Sequence, residues 1–154
     1  MILDATAGKR MMWFNNQEEN VIYLDKKRNV KPTIVADHTY IPFRDNVFDL
    51  VLYDPPHSSV GTTGKGELYK TFGSMSAGKF VPTIYRASRE LFRVLKKGCF
   101  LIFKWNTHVY SLKRVLAIFP YKPLFGQKTA YKTKHSSSTY WFCFQKFRSK
   151  KGGE

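Results

Sequence analysis

Apolar residues along this chain keep two rhythms. Short, nearly continuous apolar runs recur at Met1 to Leu3, Val21 to Leu24, Thr33 to Ala36, Leu50 to Tyr53 and Cys99 to Phe103. Runs of that length, broken by Asp, Pro or Gly, read as strands buried on both sides of a parallel sheet. Between the last two runs, Phe80, Ile84, Ala87, Leu91 and Val94 return at the spacing of one helix face. Pro82 suits the first turn of that helix and Gly98 its end. A second helix is marked by Val109, Leu112, Val115, Leu116 and Phe119 and stopped by Pro120, and another is predicted to open at Met11-Met12-Trp13-Phe14. Leu124-Phe125-Gly126 and Tyr140 to Phe144 then read as a closing hairpin. Strands alternating with helices predict an α/β domain: a mostly parallel, seven-stranded sheet, helices on both faces and a C-terminal antiparallel hairpin.

The polar residues gather where these strands stop. The second, third and fourth strands each end in a carboxylate, Asp25, Asp37 and Asp54, and Asp4 follows the first. Ligands of open α/β sheets bind at that carboxyl edge. Asp4-Ala5-Thr6-Ala7-Gly8-Lys9-Arg10 forms the first turn, and its small residues let a ligand approach the backbone. Arg10 stands where a nucleotide-type loop has its last glycine, so the loop pattern is partial. Asp25 lies 21 residues after Asp4, close to the ~20-residue offset at which an acid meets ribose hydroxyls; a strand-end acid starting a turn is the other reading. Asp54-Pro55-Pro56-His57 ends the fourth strand abruptly, because proline lacks a donor and restricts its predecessor. Asp54 and the Pro55 carbonyl can each accept one hydrogen of a planar amine while His57 stacks on the attached ring. A plain strand-to-loop turn is the alternative.

Charge narrows the partner. Lys and Arg number 26 against 11 acids, a formal net charge of +15, which points to a polyanion, nucleic acid before anionic membrane. From His57 to about Lys79 the chain is rich in Gly, Ser and Thr and carries Lys65 and Lys70; it reads as a cover over the substrate or as disorder. Lys104 and Asn106 leave the fifth strand near the carboxyl edge, at the substrate or on the surface. Lys128, Lys132, Lys134 and His135 lie among Tyr131 and Ser136-Ser137-Ser138, a composition suited to a phosphate track. No apolar run approaches the ~20 residues of a membrane span, and Met1-Ile2-Leu3 runs into Asp4 without a signal-peptide pattern. Cys99 and Cys143 fall in apolar stretches, as free thiols in a reducing cytoplasm do. No Cys/His cluster has metal spacing, so no metal is expected. Residues 1–148 are expected to form one domain and 149–154 a flexible basic tail.

Leu3-Asp4-x-x-Ala7-Gly8, Asp25, the run Asp37 to Phe43 and the run Asp45 to Val51 together resemble class I S-adenosylmethionine-dependent methyltransferases, a Rossmann-like family. Arg89 to Gly98 is similar to that family's helix and turn before its fifth strand. Asp54-Pro55-Pro56-His57 resembles the Asp-Pro-Pro-Tyr signature of amino-methyltransferases that act on nucleobases. A closer resemblance is to small methyltransferases of phages and prophages, carried by Gly8-Lys9-Arg10-Met11-Met12-Trp13-Phe14, Asp-Pro-Pro-His, Phe103-Lys104-Trp105-Asn106 and Trp141-Phe142-Cys143-Phe144. The resemblance implies S-adenosylmethionine as cofactor. Asp4 and Gly8 would line its methionine end within the turn Asp4, Ala5, Thr6, Ala7 and Gly8. Asp25 would take the ribose and Asp37 the adenine amine, with Lys26 and His38 alongside. Arg10 would clamp the cofactor carboxylate or cap the loop. Asp54, Pro55, Pro56 and His57 would be catalytic, and Lys65, Lys70, Lys104, Asn106, Lys132 and Lys134 would contact the substrate.

The implied reaction is methyl transfer to an exocyclic amine of a nucleobase, adenine in DNA first and RNA second. The chain has no room for a separate target-recognition domain, so specificity falls to the 58–79 loop, the basic C-terminal region or a protein partner. Two other classes stay open. One is methylation of a small amine or a protein side chain. The other is a nucleic-acid-binding protein that keeps the fold without catalysis, as the departures at Arg10 and His57 suggest.

Overall fold

The computed structural model describes residues 1–56, 77–107, 110–129 and 138–147. Their strands are β1 (Ile2–Asp4), β2 (Val21–Asp25), β3 (Ile34–Val35), β4 (Phe48–Tyr53), β5 (Leu95–Asn106), β6 (Phe125–Thr129) and β7 (Thr139–Gln145). The α-helices are α1 (Ala77–Val94) and α2 (Leu112–Leu116). One sheet runs in the order β3-β2-β1-β4-β5-β7-β6. β1 to β5 are parallel to their neighbours, and β7 pairs antiparallel with both β5 and β6. The predicted seven-stranded sheet and its antiparallel hairpin are both present. Strand order reverses at β1, between β2 and β4, and such a reversal opens a crevice at the carboxyl edge.

Register assigns each side chain to a face. Leu3 is beside Val51, Val51 beside Leu101, and Leu101 beside Phe144, so these residues share one face with Tyr53, Phe103, Trp105 and Phe142. Phe80, Ile84, Ala87, Leu91 and Val94 of α1 are buried against that face, joined by Val115 of α2 and Phe119. This is the helix stripe that the sequence pattern predicts. Within that core the Trp105 indole keeps a hydrogen bond, donating to the Tyr110 carbonyl at 3.1 Å.

The expected helices on both faces take an uneven form. Among the described residues both α-helices lie on this first face. Residues 5–20, where Met11 to Phe14 predict a helix, form turns and bends instead. Their apolar residues are consecutive rather than spaced by a helical turn, so they make no stripe that a helix could bury. Only Trp13 is used, packing with Ala7, Ile2, Val21 and Tyr23 on the second face over β1 and β2.

Two boundaries also differ from the sequence pattern. α1 begins at Ala77, which places Pro82 inside the helix rather than in its first turn. Helix passes directly into strand at Leu95, so Gly98 does not stop α1. Gly98 sits within β5 at φ +83°, where β5 carries extra residues between the Phe48–Leu95 and Leu50–Phe100 pairs. A second glycine serves close approach: a Cβ on Gly126 would stand 2.5 Å from the Phe142 ring.

Arg93 near the end of α1 fixes the β3–β4 connection. Its guanidinium donates to Glu90 and Asp45 and to the carbonyls of Ile41 and Phe43, while Glu90 accepts from the Ile41 N–H at 2.9 Å. The Glu90 carboxyl is held below its ordinary value chiefly by the Arg93 hydrogen bonds.

Candidate cofactor and acceptor site

The first turn climbs between β2 and β4. The Ala5 N–H donates to the Leu52 carbonyl and the Ala7 N–H to the Leu24 carbonyl, both at 3.0 Å. This strap places Asp4 to Gly8 between the ends of β2 and β4, with Asp25 on one side and Asp54 on the other.

Asp4 has no exposed surface. Its carboxylate accepts from the Trp13 indole N–H at 2.8 Å and from the Thr6 N–H at 3.3 Å. Burial nonetheless dominates and pushes its pKa up to about 6, with Asp54 and Asp25 adding like-charge repulsion. Asp25 organises the turn: one carboxylate oxygen accepts from the Gly8 N–H at 2.9 Å and the other from the Lys27 N–H at 2.8 Å. Asp37 lies beyond the end of β3 and accepts from the N–H and hydroxyl of Thr39 at 2.8 and 2.7 Å. Burial raises its pKa, but those hydrogen bonds outweigh it and the carboxyl stays below its usual value.

His38 is 7% exposed, and its burial lowers the imidazole pKa, favouring the neutral form. Its ring lies against Tyr53 at 5.5 Å between centroids. Neither His38 Nε2 nor the Tyr53 hydroxyl has a hydrogen-bond partner. Two buried polar atoms without partners next to Asp37 give this end of the crevice unmet hydrogen-bonding capacity.

Asp54 is positioned from both neighbouring strands. Its N–H donates to Thr6 Oγ1 at 2.9 Å, and its carboxylate pairs with Lys104 Nζ at 2.7 Å. The Lys104 ammonium in turn lies 5.5 Å from the centre of the Trp141 ring. Pro55 is buried and Pro56 half-buried behind it.

Other predicted site residues have different surroundings. The Arg10 guanidinium donates to the Asn16 carbonyl at 2.7 Å and to the Lys31 carbonyl at 2.8 Å, and stacks 4.0 Å from the Tyr23 ring centre. These are the contacts of the loop-cap reading, and Arg10 stands at φ +58°. Lys26 is exposed and acts on Asp37 and His38 through its charge. Asn106 donates to Thr139 Oγ1 at 3.0 Å and ties β5 to β7. His57, Lys65, Lys70, Lys132 and Lys134 lie outside the described residues. Two residues that sequence reasoning missed complete the site: Trp13, which supplies the Asp4 donor, and Trp141, which flanks Lys104. The pairing of Lys104 with Asp54 was also missed, although Tyr53 and Phe103 are neighbours in register and the next residue of each strand is Asp54 or Lys104.

Among solved structures, the chain is similar to the [4+2]-cyclase SpnF, with a TM-score of 0.65 and 12% identity over 95% of this chain and 74% of that one. It is similar to a SAM-dependent methyltransferase from Methanosarcina mazei, with a TM-score of 0.59 and 12% identity over 95% and 92% of the two chains. The 1,6-didemethyltoxoflavin-N1-methyltransferase of Burkholderia thailandensis, solved with bound 1,6-didemethyltoxoflavin and S-adenosylhomocysteine, gives a TM-score of 0.61 and 10% identity over 96% and 71% of the two chains. The fold is that of the class I methyltransferases. No family model matches the sequence, and no curated protein matches it. A cyclase on the same frame shows that the fold leaves the reaction open, so function must be argued from the site.

Proposed function

We propose that this chain is an S-adenosylmethionine-dependent methyltransferase acting on an exocyclic amine of a nucleobase, with adenine in DNA the first choice. The observation that carries the reading is Asp54: a fixed carboxylate at the end of β4, followed by Pro55-Pro56 and anchored through Thr6 to the Asp4–Gly8 turn. The strap and the backbone of the residue that bears the carboxylate thereby share one hydrogen bond. The methyltransferases of known structure with this fold support the choice of cofactor.

The residues present suit that cofactor. A buried carboxylate at Asp4, raised to about 6, gains from a neighbouring cation and so matches an amino-acid ammonium or a sulfonium. Asp25 retains lone pairs for vicinal hydroxyls beyond the two N–H groups it accepts, and Asp37 with the unpartnered His38 Nε2 offers contacts to an aminated ring. Such a cofactor, when bound, supplies a methyl group already activated on sulfur.

The chain's own task is then alignment and electrostatics. Asp54 and the Pro55 carbonyl accept the two hydrogens of the acceptor amine. This draws the nitrogen lone pair out of conjugation and aims it toward the Asp4–Gly8 side. Transfer of the methyl group, with the S–C pair returning to sulfur, would leave the acceptor nitrogen with one proton too many, which the Asp54 carboxylate or water would take. A base in duplex DNA must first leave the stack, at a cost of a few kcal/mol, and the +15 charge supports holding the backbone meanwhile.

The direct experiment is transfer of labelled methyl from S-adenosylmethionine to DNA, RNA and a protein extract in parallel. Label is expected in a nucleic-acid pool, lost in Asp54→Ala and reduced steeply by salt. Label confined to protein or small molecules, or undiminished by Asp54→Ala, would sink the reading. Low sequence specificity is part of this reading, so protection against several restriction enzymes is expected rather than against one. The cap role of Arg10 favours a second reading, a nucleic-acid-binding protein on a methyltransferase frame, and failure to bind S-adenosylmethionine at millimolar concentration would select it.

A further inference from the structure

We propose that Lys104 sets the class of acceptor by neutralising Asp54: the site takes amines that are uncharged at neutral pH, as aromatic amines are, and rejects alkylammonium ions. The proposal rests on the amine-methyltransferase reading above and adds a reason for it to prefer bases over lysine side chains or polyamines.

Three elements hold the pair. Tyr53 and Phe103 are register neighbours in the parallel β4–β5 ladder, so Asp54 and Lys104 leave it side by side, on the face opposite the core. Their side chains are 19% and 25% exposed and meet at 2.7 Å. From β7, Trp141 stands directly across from Lys104 in register, and its ring face favours a cation at that point. A part-buried ion pair of this length is charge-assisted and geometrically restrained.

The rest of the crevice is different in sign. Asp4 and Asp25 have no ion pair among the described residues and instead accept N–H groups from the first turn, from Lys27 and from the Trp13 indole. The half that would face a cationic cofactor thus keeps its negative charge, while the acceptor half is neutralised. An arriving alkylammonium would need the Asp54 charge that Lys104 already satisfies, and would meet the Lys104 ammonium as a like charge. A neutral aromatic amine needs only lone pairs, and a carboxylate with about four acceptor positions can serve Lys104 and an N–H together. Removing the ammonium while keeping the stem should therefore reverse the preference.

The test is equilibrium dialysis of 9-ethyladenine and of n-butylammonium against the whole chain, with and without S-adenosylhomocysteine, for wild type, Lys104→Met and Lys104→Arg. Wild type is expected to favour 9-ethyladenine. Lys104→Met should shift the ratio toward the ammonium by about tenfold or more, and Lys104→Arg should keep the wild-type ratio, which a purely structural role for the stem would not produce. Where transfer is measurable, the shift should appear mainly in KM for the ammonium. A wild type that prefers the ammonium, or binds neither amine, overturns the proposal, as does a folded Lys104→Met with an unchanged ratio. Loss of S-adenosylhomocysteine binding by wild type would instead remove the methyltransferase reading, and the dialysis without it would still read the charge preference.

Discussion

On the α1 side of β5, Leu101, Phe103 and Trp105 have no exposed surface; on the other side of the same strand, Ile102 and Lys104 are half-buried and Phe100 is 40% exposed. The covered face is a continuous aromatic and aliphatic core, with Phe103 within 6.4 Å of Tyr53, Trp105, Phe119, Phe142 and Phe144 between ring centroids. The other face carries Asp4, Asp54 and Lys104 at its carboxyl end. The difference shows how one sheet divides its work. A carboxylate on the core face would lose its hydration with no partner to replace it, whereas on the second face the loop of residues 5–20 and Lys104 of β5 supply donors. The core is concentrated on the first face and the candidate site on the second.

Breaking the covered face should have the largest effect. Trp105→Ala removes a fully buried ring and is expected to cost about 3–5 kcal/mol, read as a fall in the urea midpoint at constant slope. The chemical face should instead show itself through pH. Asp4 is raised in the folded state from 3.8 to about 6, so the native protein binds that proton more tightly than the unfolded chain. Its contribution to stability is full below pH 3.8 and is lost as pH rises through 6. Relative to Asp4→Asn, wild type should therefore lose about 2 kcal/mol between pH 4 and pH 8; equal slopes of stability against pH would contradict the buried-carboxylate account. Next is Arg10→Gln, which removes two hydrogen bonds to carbonyls and a stacked cation, an expected loss of about 1–2 kcal/mol with S-adenosylmethionine affinity falling as the turn loosens. Least affected should be Phe100→Ala on the second face, about 0.5–1 kcal/mol by thermal unfolding. A loss as large as that of Trp105→Ala would mean that the two faces are equally packed.

The parts of the fold legible in the sequence are those written by periodicity. Phe80, Ile84, Ala87, Leu91 and Val94 repeat at helical spacing and do form the buried face of α1, and Asp25 and Asp54 stand at the strand ends that their positions predict. Met11 to Phe14 misled because local hydrophobicity without a period does not specify a helix; tertiary contacts of Trp13 and Arg10 decide that segment. Gly98 misled because a positive-φ residue serves a bulge as well as a helix stop. In the candidate site the individual acids were readable, but their partners were not. Trp13 reaches Asp4 across nine residues and Lys104 reaches Asp54 across fifty; the first follows from how the 5–20 segment folds back, the second from strand register.

Strand order also has a consequence for how the protein assembles. β7 lies between β5 and β6, and among the described residues β6 has no other neighbour in the sheet. Although β6 is synthesised first, it has nothing to join until residues 139–145 emerge, and β5 keeps an open edge for the same interval. Lys146 completes the arrangement: its ammonium donates to the Leu95 carbonyl at 2.7 Å and to the Arg93 carbonyl at 3.2 Å, capping the junction between α1 and β5 from a hundred residues past Asn46, its third partner. Chains halted on the ribosome before Thr139 would hold the parallel strands and the acidic crevice but present the β5 edge to one another, the form in which unfinished sheets aggregate.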